Sequence, residues 1–263
     1  MEELARDLRA SERVVILTGA GISVASGIAP FRKSADALWE RNVTELATRR
    51  FFQQSPKESW LWYLKRFDNL LDKQPNPAHH AIAELQEWGV REGKEVTLIT
   101  QNIDLLHRKA GSSSPIEIHG RSDMTRCVQE GQCEYASPRG LIPSAELDLE
   151  RLVQSEDEAD LPRCPGCGSL VRPHILWFDE FYTEHEEYRF KDALEALSDA
   201  DLLICSGTSF SVGITAIALD EAARQGAKIW GIDPSPDRDL IDELSWITEV
   251  SEEAFPHIAR LLI

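Results

Sequence analysis

The chain lacks any run of about 18 consecutive apolar residues, the length a membrane-spanning helix needs, so no bilayer-crossing segment is expected. It also lacks an excess of positive charge: 28 Lys and Arg stand against 45 Asp and Glu, a formal charge of −17. Binding nucleic acid by phosphate neutralisation is therefore not expected, whereas basic protein segments would be attracted. The opening MEELARDLRA is charged and carries no apolar leader segment. Cysteine is sparse, five residues in 263. In a chain without a secretory signal this excludes a disulfide framework and points to metal ligation or reduced thiols in the cytoplasm. There is no internal repeat and no signal of oligomeric state.

What is present is an alternation of strand and helix patterns. Val14–Leu17, Val96–Ile99, Leu202–Cys205 and Lys228–Ile232 are short β-branched or apolar runs, the pattern of strands buried on both faces. Helical patterns lie between and after them. One begins at Pro77 with Asn76 as N-cap and is expected to end at Gly89; another spans Thr215–Gln225 and closes at Gly226. The fold class expected is α/β, a doubly wound parallel Rossmann-like sheet. Residues 1–33, 74–122 and 172–263 make up its discontinuous sheet domain, 34–73 a helical insertion and 123–171 a small module that holds four of the five cysteines.

VVILTGAGISVASG runs from a strand into a glycine-rich turn. Gly19 and Gly21 permit positive φ and close approach of backbone to a pyrophosphate at the start of a helix. The spacing departs from G-x-G-x-x-G, and alone it is equally a tight strand-to-helix turn. A second loop, Cys205-Ser206-Gly207-Thr208-Ser209, also follows a strand. Two such loops are what a dinucleotide site at a topological switch point requires.

Cys164-Pro165-Gly166-Cys167 is a compact knuckle, and Cys127 and Cys133 form a second pair with five residues between them. Four thiolates close a tetrahedral structural zinc site and leave no position for water. Cys205 lies in an apolar strand and reads as a core residue. In TLITQNIDLLHRKAG, Gln101, Asn102 and Asp104 fall just after a strand, and His119 follows the apolar run of IEIHG. Amide side chains could hold a sugar and a neutral His could serve as general base; an isolated turn histidine is the alternative. The residues themselves lead to a dinucleotide enzyme of unspecified reaction.

In order along the chain, TGAGIS, GI..FR, NPAHHAIAEL, TQNID, HG, two cysteine pairs, RPHILWF and GTS closely resemble the sirtuins, the NAD-dependent protein-lysine deacylases. The resemblance covers nearly the whole chain. It implies that Gly19, Ala20, Gly21 and Ser23 cradle the NAD phosphates, with Phe31 and Arg32 in the cofactor loop. Gln101 and Asn102 would contact the nicotinamide ribose, Asp104 would line the nicotinamide pocket, and Gly207, Thr208 and Ser209 the adenosine-ribose side. His119 would be the general base, with Asn102 the other catalytic group. Ile175, Leu176, Trp177 and Phe178 would pair with an acyl-lysine protein or peptide as an added strand.

The implied reaction uses NAD as co-substrate: the acyl oxygen attacks the ribose anomeric carbon, nicotinamide leaves, and His119 deprotonates a ribose hydroxyl. Free lysine and acylated ADP-ribose result. The same cofactor site could instead serve an NAD hydrolase, an ADP-ribosyltransferase or a non-catalytic sensor. Departures from the family pattern are Ala29-Pro30 before Phe31-Arg32, Leu105 and Asp179 where Gly is usual, and Asp233 in place of an Asn that contacts ribose. Tyr63 and Arg66, three residues apart on a helical pattern, resemble the pair that binds the acyl carboxylate in desuccinylating sirtuins. An amphipathic packing helix would show the same spacing.

Overall fold

The computed structural model describes residues 1–29, 43–155, 157–210, 213–236 and 244–263. Among these the strands are β1 (Arg13–Thr18), β2 (Glu95–Thr100), β3 (Ile116–Glu117), β4 (Gly120–Cys127), β5 (Ile142–Pro143), β6 (Val171–Ile175), β7 (Leu202–Ser206), β8 (Lys228–Ile232) and β9 (Ser245–Ile247). The chain divides into two compact units. Met1–Pro30, Lys73–Ile116 and Lys191–Ile263 form the first; Phe31–Asp72 and Glu117–Phe190 form the second.

The first unit is built on a six-stranded sheet in the order β3-β2-β1-β7-β8-β9. β1 lies between β2 and β7 and pairs in parallel with both, Val14 standing opposite Val96 and Leu202. The chain winds outward from β1 in one direction and from β7 in the other, so the order reverses between these two strands. β1 is buried from Val14 onward and β7 throughout, as strands covered on both faces must be. One core joins Val14, Ile16, Leu98 and Ile204 of the sheet to Leu4, Leu8, Ile82, Leu85, Phe255 and Ile258 of three helices. Fully burying each of these side chains contributes about 1.5–3 kcal/mol.

The helix after Asn76 corrects one expectation. Asn76 caps it as its sequence suggests, its side chain accepting from Ala78 N–H. The helix, however, runs through Gly89 to Glu92 and closes on Gly93 in the left-handed conformation, φ 70°. Gly89 is there for packing: a Cβ on it would stand 2.6 Å from Cγ2 of Val96 in β2. The helix Gly213–Gln225 does end on its expected glycine, Gly226, at φ +67°.

The second unit differs in organisation from the sequence reading. Residues expected to form two separate insertions join one unit, which also takes in the chain as far as Phe190. The cause is β6, which pairs antiparallel with β4 in the three-stranded sheet β5-β4-β6 rather than extending the parallel sheet. The helix Pro56–Leu71 is tied to that strand by Trp60, whose indole donates to the Val171 carbonyl at 2.9 Å. Part of the expected helical insertion, with Phe31 and Arg32, lies outside the described residues. No helix among those described is long and apolar enough to cross a membrane.

Candidate functional site

In the first unit the two glycine loops follow β1 and β7, the adjacent strands at the reversal of sheet order, and they meet backbone to backbone. Gly19 N–H donates to Ser206 O at 3.0 Å and Gly21 N–H to Gly207 O at 2.8 Å. A Cβ on Gly21 would stand 2.6 Å from the Gly207 Cα, and one on Gly207, whose φ is +62°, 2.4 Å from Ile22 N. The glycines therefore serve loop-to-loop contact, and the Gly19 and Gly21 N–H groups are engaged in it. The turn Ala20–Ser26 is a 3-10 helix, in which Gly21 N–H is taken by Gly207 O and Ile22 N–H by Gly19 O at 3.2 Å.

Beneath that turn lies a polar set joined through Ser23, whose side chain is fully buried. Its hydroxyl donates to the Asp104 carboxylate at 2.7 Å and accepts from the Asn102 amide at 3.1 Å. Asn102 also donates to Gly19 O at 3.1 Å, and Gln101 donates to Thr208 Oγ1 at 3.1 Å. Burial pushes the Asp104 carboxyl above its ordinary value, and hydrogen bonds from Leu106 N–H and Ser23 oppose this only in part. Leu105, where the family pattern has glycine, adopts φ 66°, a left-handed conformation that costs a branched side chain roughly 1–2 kcal/mol. Asp233 follows β8, with its carboxylate accepting from Ser235 N–H at 2.8 Å.

Two histidines stand behind this set. His79 and His107 are buried with ring centroids 4.7 Å apart, and His107 bonds Thr18 at 3.0 Å. Burial lowers the pKa of His79 to about 4 and that of His107 well below the usual range, so both are neutral at pH 7. The donors, the close loop contact and the buried carboxyl suit a polar dinucleotide with its amide end. Cys205 stays in the strand core, its thiol pushed up to about 12 by burial.

In the second unit His119 immediately precedes β4. Gly120, at φ +85°, admits a close crossing with β6: a Cβ there would lie 2.0 Å from His174 O. Leu176 N–H donates to His119 O at 2.9 Å, Phe178 N–H to Ala47 O at 3.0 Å, and Trp177 N–H to the Glu180 carboxylate at 3.1 Å. These three donors are thus engaged within the unit, and an added strand here cannot use them. Phe178 exposes 54% of its surface. Tyr63 is buried and its hydroxyl accepts from the Trp177 indole at 2.7 Å; Arg66 lies over the Trp62 ring at 4.8 Å. Burial pushes the Tyr63 hydroxyl up and the Arg66 guanidinium down.

Sequence reasoning passed over Glu180 and Tyr182. The Glu180 carboxylate is fully buried and binds Arg172, Arg49 and Arg126. The Arg172 guanidinium also covers the Trp177 ring at 3.2 Å. Tyr182 places its hydroxyl 3.5 Å from His119 Nε2. A carboxylate close after an arginine-bearing strand was the available signal for Glu180; nothing marked Tyr182.

The two cysteine pairs interleave at the far end of β4. The sulfurs of Cys127 and Cys167 lie 3.5 Å apart, as do those of Cys133 and Cys164, and all four fall within 4.8 Å of one another. Four thiolates at about 2.3 Å from a zinc ion stand roughly 3.8 Å apart, so the set fits structural zinc.

A family model described as the Sir2 family matches residues 19–213. An NAD-dependent protein deacylase of Daphnia pulex is 37% identical over 239 residues, covering 87% of this chain and 85% of its own. NAD-dependent protein deacylase 1 of Pseudomonas aeruginosa is 35% identical over 256 residues, covering 96% and 95%. Among solved structures, a Sir2 homologue–NAD complex shares 32% identity with a TM-score of 0.80, covering 100% of this chain and 93% of that one. A Sir2–p53 peptide–NAD+ complex shares 29% identity with a TM-score of 0.79, covering 99% and 98%.

Proposed function

The chain belongs to the Sir2 family, and from that membership we propose that it removes acyl groups from protein lysine side chains, with NAD as co-substrate. The observation that carries this reading is the hydrogen-bonded set of buried Ser23 and Asp104 with half-buried Asn102, under two touching glycine loops at the reversal of sheet order. When bound, NAD supplies a ribose that accepts the acyl group and a nicotinamide that leaves.

In this reading the 3-10 turn from Ala20 faces the phosphates. Gln101 donates an amide N–H to a ribose oxygen, the Asn102 side-chain carbonyl accepts from a ribose hydroxyl because both its N–H groups are held by Gly19 and Ser23, and Asp104 accepts from the carboxamide. The hydrogen bonds through Ser23 fix the Asn102 and Asp104 side chains, so their orientation is set before binding. His119 takes a proton from a ribose hydroxyl, and the Phe178 side chain offers apolar contact to a peptide. The cysteine set holds zinc in a structural role.

The acyl chain is the finer part of the proposal. Tyr63 and Arg66 on the helix Pro56–Leu71 support turnover of a dicarboxylic acyl group such as succinyl, for a half-buried guanidinium suits a carboxylate. Incubation with NAD and matched unmodified, acetyl- and succinyl-lysine peptides, followed by mass spectrometry, tests both parts. Nicotinamide is expected only with acyl peptide, together with acylated ADP-ribose. Equal NAD loss without acyl peptide would establish a hydrolase instead, and transfer of ADP-ribose to the peptide would establish a transferase.

A further inference from the structure

His119 does not stand alone on its turn. Its ring is stacked with that of Tyr182 (centroids 5.9 Å apart, planes within 14°), and the ring of Tyr182 is stacked with that of Phe190 (5.0 Å, 17°). Three nearly parallel rings thus form a ladder ending at the imidazole. The Tyr182 hydroxyl lies 3.5 Å from His119 Nε2, at the long end of hydrogen-bonding distance.

The place of Tyr182 is fixed by its neighbours in sequence. Glu180 and Glu184, two residues to either side, both bind the Arg49 guanidinium, and Glu184 N–H donates to Phe181 O at 3.0 Å. Glu180 is further held by Arg172. A short segment anchored at both ends in this way presents one ring inward while the adjacent Phe181 is 74% exposed.

We propose that Tyr182 is a positioning residue for His119, holding the imidazole through its hydroxyl and the ring stack while the base takes a proton. The inference rests on the deacylase reading for its rate consequence. Its physical basis is that a protonated imidazole donates to the Tyr182 oxygen in a charge-assisted bond, roughly twice as strong as the neutral one it replaces. The bond shortens as the proton arrives, as catalytic hydrogen bonds do. Tyr182 therefore favours the state of His119 that forms during turnover and restrains the ring beforehand.

The test compares wild type with Tyr182→Phe, which keeps the stacked ring and removes the hydroxyl. In zinc-loaded protein carrying 15N-histidine, the His119 Nε2 resonance, assigned by its loss in His119→Ala, is expected to move in Tyr182→Phe. The kcat for acyl peptide is expected to fall about fivefold, with the peptide KM within twofold of wild type. Tyr182→Leu, lacking ring and hydroxyl, is expected to fall further at equal zinc content and melting temperature. An Nε2 resonance that stays in place in Tyr182→Phe overturns the inference, whatever the rates. A wild-type protein that turns over no acyl peptide overturns the deacylase reading alone, because the resonance comparison still decides whether Tyr182 holds the ring.

Discussion

The Trp177 indole N–H donates to the Tyr63 hydroxyl at 2.7 Å, and both side chains are almost wholly buried. The tyrosine proposed to read the acyl chain is thus also a clamp between its helix and the segment after β6. Tyr63→Phe leaves a buried donor without its acceptor, which costs about 1–3 kcal/mol. The melting temperature is expected to fall by about 2–4 °C for each kcal/mol, alongside any change in acyl preference. Arg66→Met spares this bond and is the cleaner probe. It is expected to lower succinyl-peptide kcat/KM at least about tenfold, the worth of one charge-assisted bond, and to spare acetyl-peptide turnover. Equal losses on both peptides would count against carboxylate recognition.

Glu180 governs acid stability. Burial raises its pKa, but Arg172 and then Arg126 outweigh burial and hold it at about 2. A carboxyl held below its unfolded value of about 4.3 contributes stability above that value and loses it as pH falls through the folded one. The melting temperature is therefore expected to decline between about pH 4.5 and 2, and Glu180→Gln to remove that part of the decline. At neutral pH the same substitution strands two buried guanidinium groups and is expected to cost about 3–5 kcal/mol by denaturant titration. A variant as stable as wild type at pH 7 would refute the role.

Asp179 supplies the start of a neighbouring helix. Its carboxylate accepts from the backbone N–H groups of Arg49 at 2.7 Å and Arg50 at 3.2 Å, at the first turn of the helix Arg49–Gln54. Asp179→Gly, which restores the family's usual residue, is expected to lower stability by about 1 kcal/mol. Asp179→Asn, which keeps an acceptor, is expected to retain most of it. Indistinguishable denaturant midpoints for glycine and wild type would show that this cap contributes nothing.

Gly207→Ala should separate the two glycine loops. At φ +62° and 2.4 Å from Ile22 N, a methyl group there forces the loops apart. NAD affinity measured by calorimetry is expected to weaken at least about tenfold, or 1.4 kcal/mol. Unchanged affinity would mean that the cofactor does not depend on this contact.

The cysteine set makes a stoichiometric prediction. Purified protein is expected to carry one zinc per chain, and Cys164→Ser to lose it together with protease resistance across residues 127–170. Zinc-free protein that still resists protease there would remove the structural role.

Of the six-stranded sheet, β1, β2, β7 and β8 were legible because burial leaves an unbroken apolar run, while the short β3 and β9 were not; the zinc ligands were legible because CPGC is already a turn. What escaped depends on partners distant in sequence. Gly89 reads as a stop until Val96 is known to press against it. The start of the stretch 172–263 reads as part of the dinucleotide-binding domain, since nothing in its sequence reveals that Cys127 and Arg126 pair with Val171 and Arg172. Leucine gives no sign of a left-handed backbone, so Leu105 could be noticed only as a departure from pattern. Asp179 was noticed in the same way, and its purpose emerged only with the helix it caps.

The position of β1 sets a schedule for making the protein. Its Val14 is synthesised about 190 residues before Leu202, whose strand fills one of the two pairing edges of β1. At synthesis rates of about 5–20 residues per second, that edge stays open for about 10 to 40 seconds. During this interval an apolar strand is presented without its partner, the condition under which nascent chains associate wrongly. Messages truncated before β7 are accordingly expected to yield insoluble product, and yield in cells should depend on chaperone capacity more than on the stability of the finished fold.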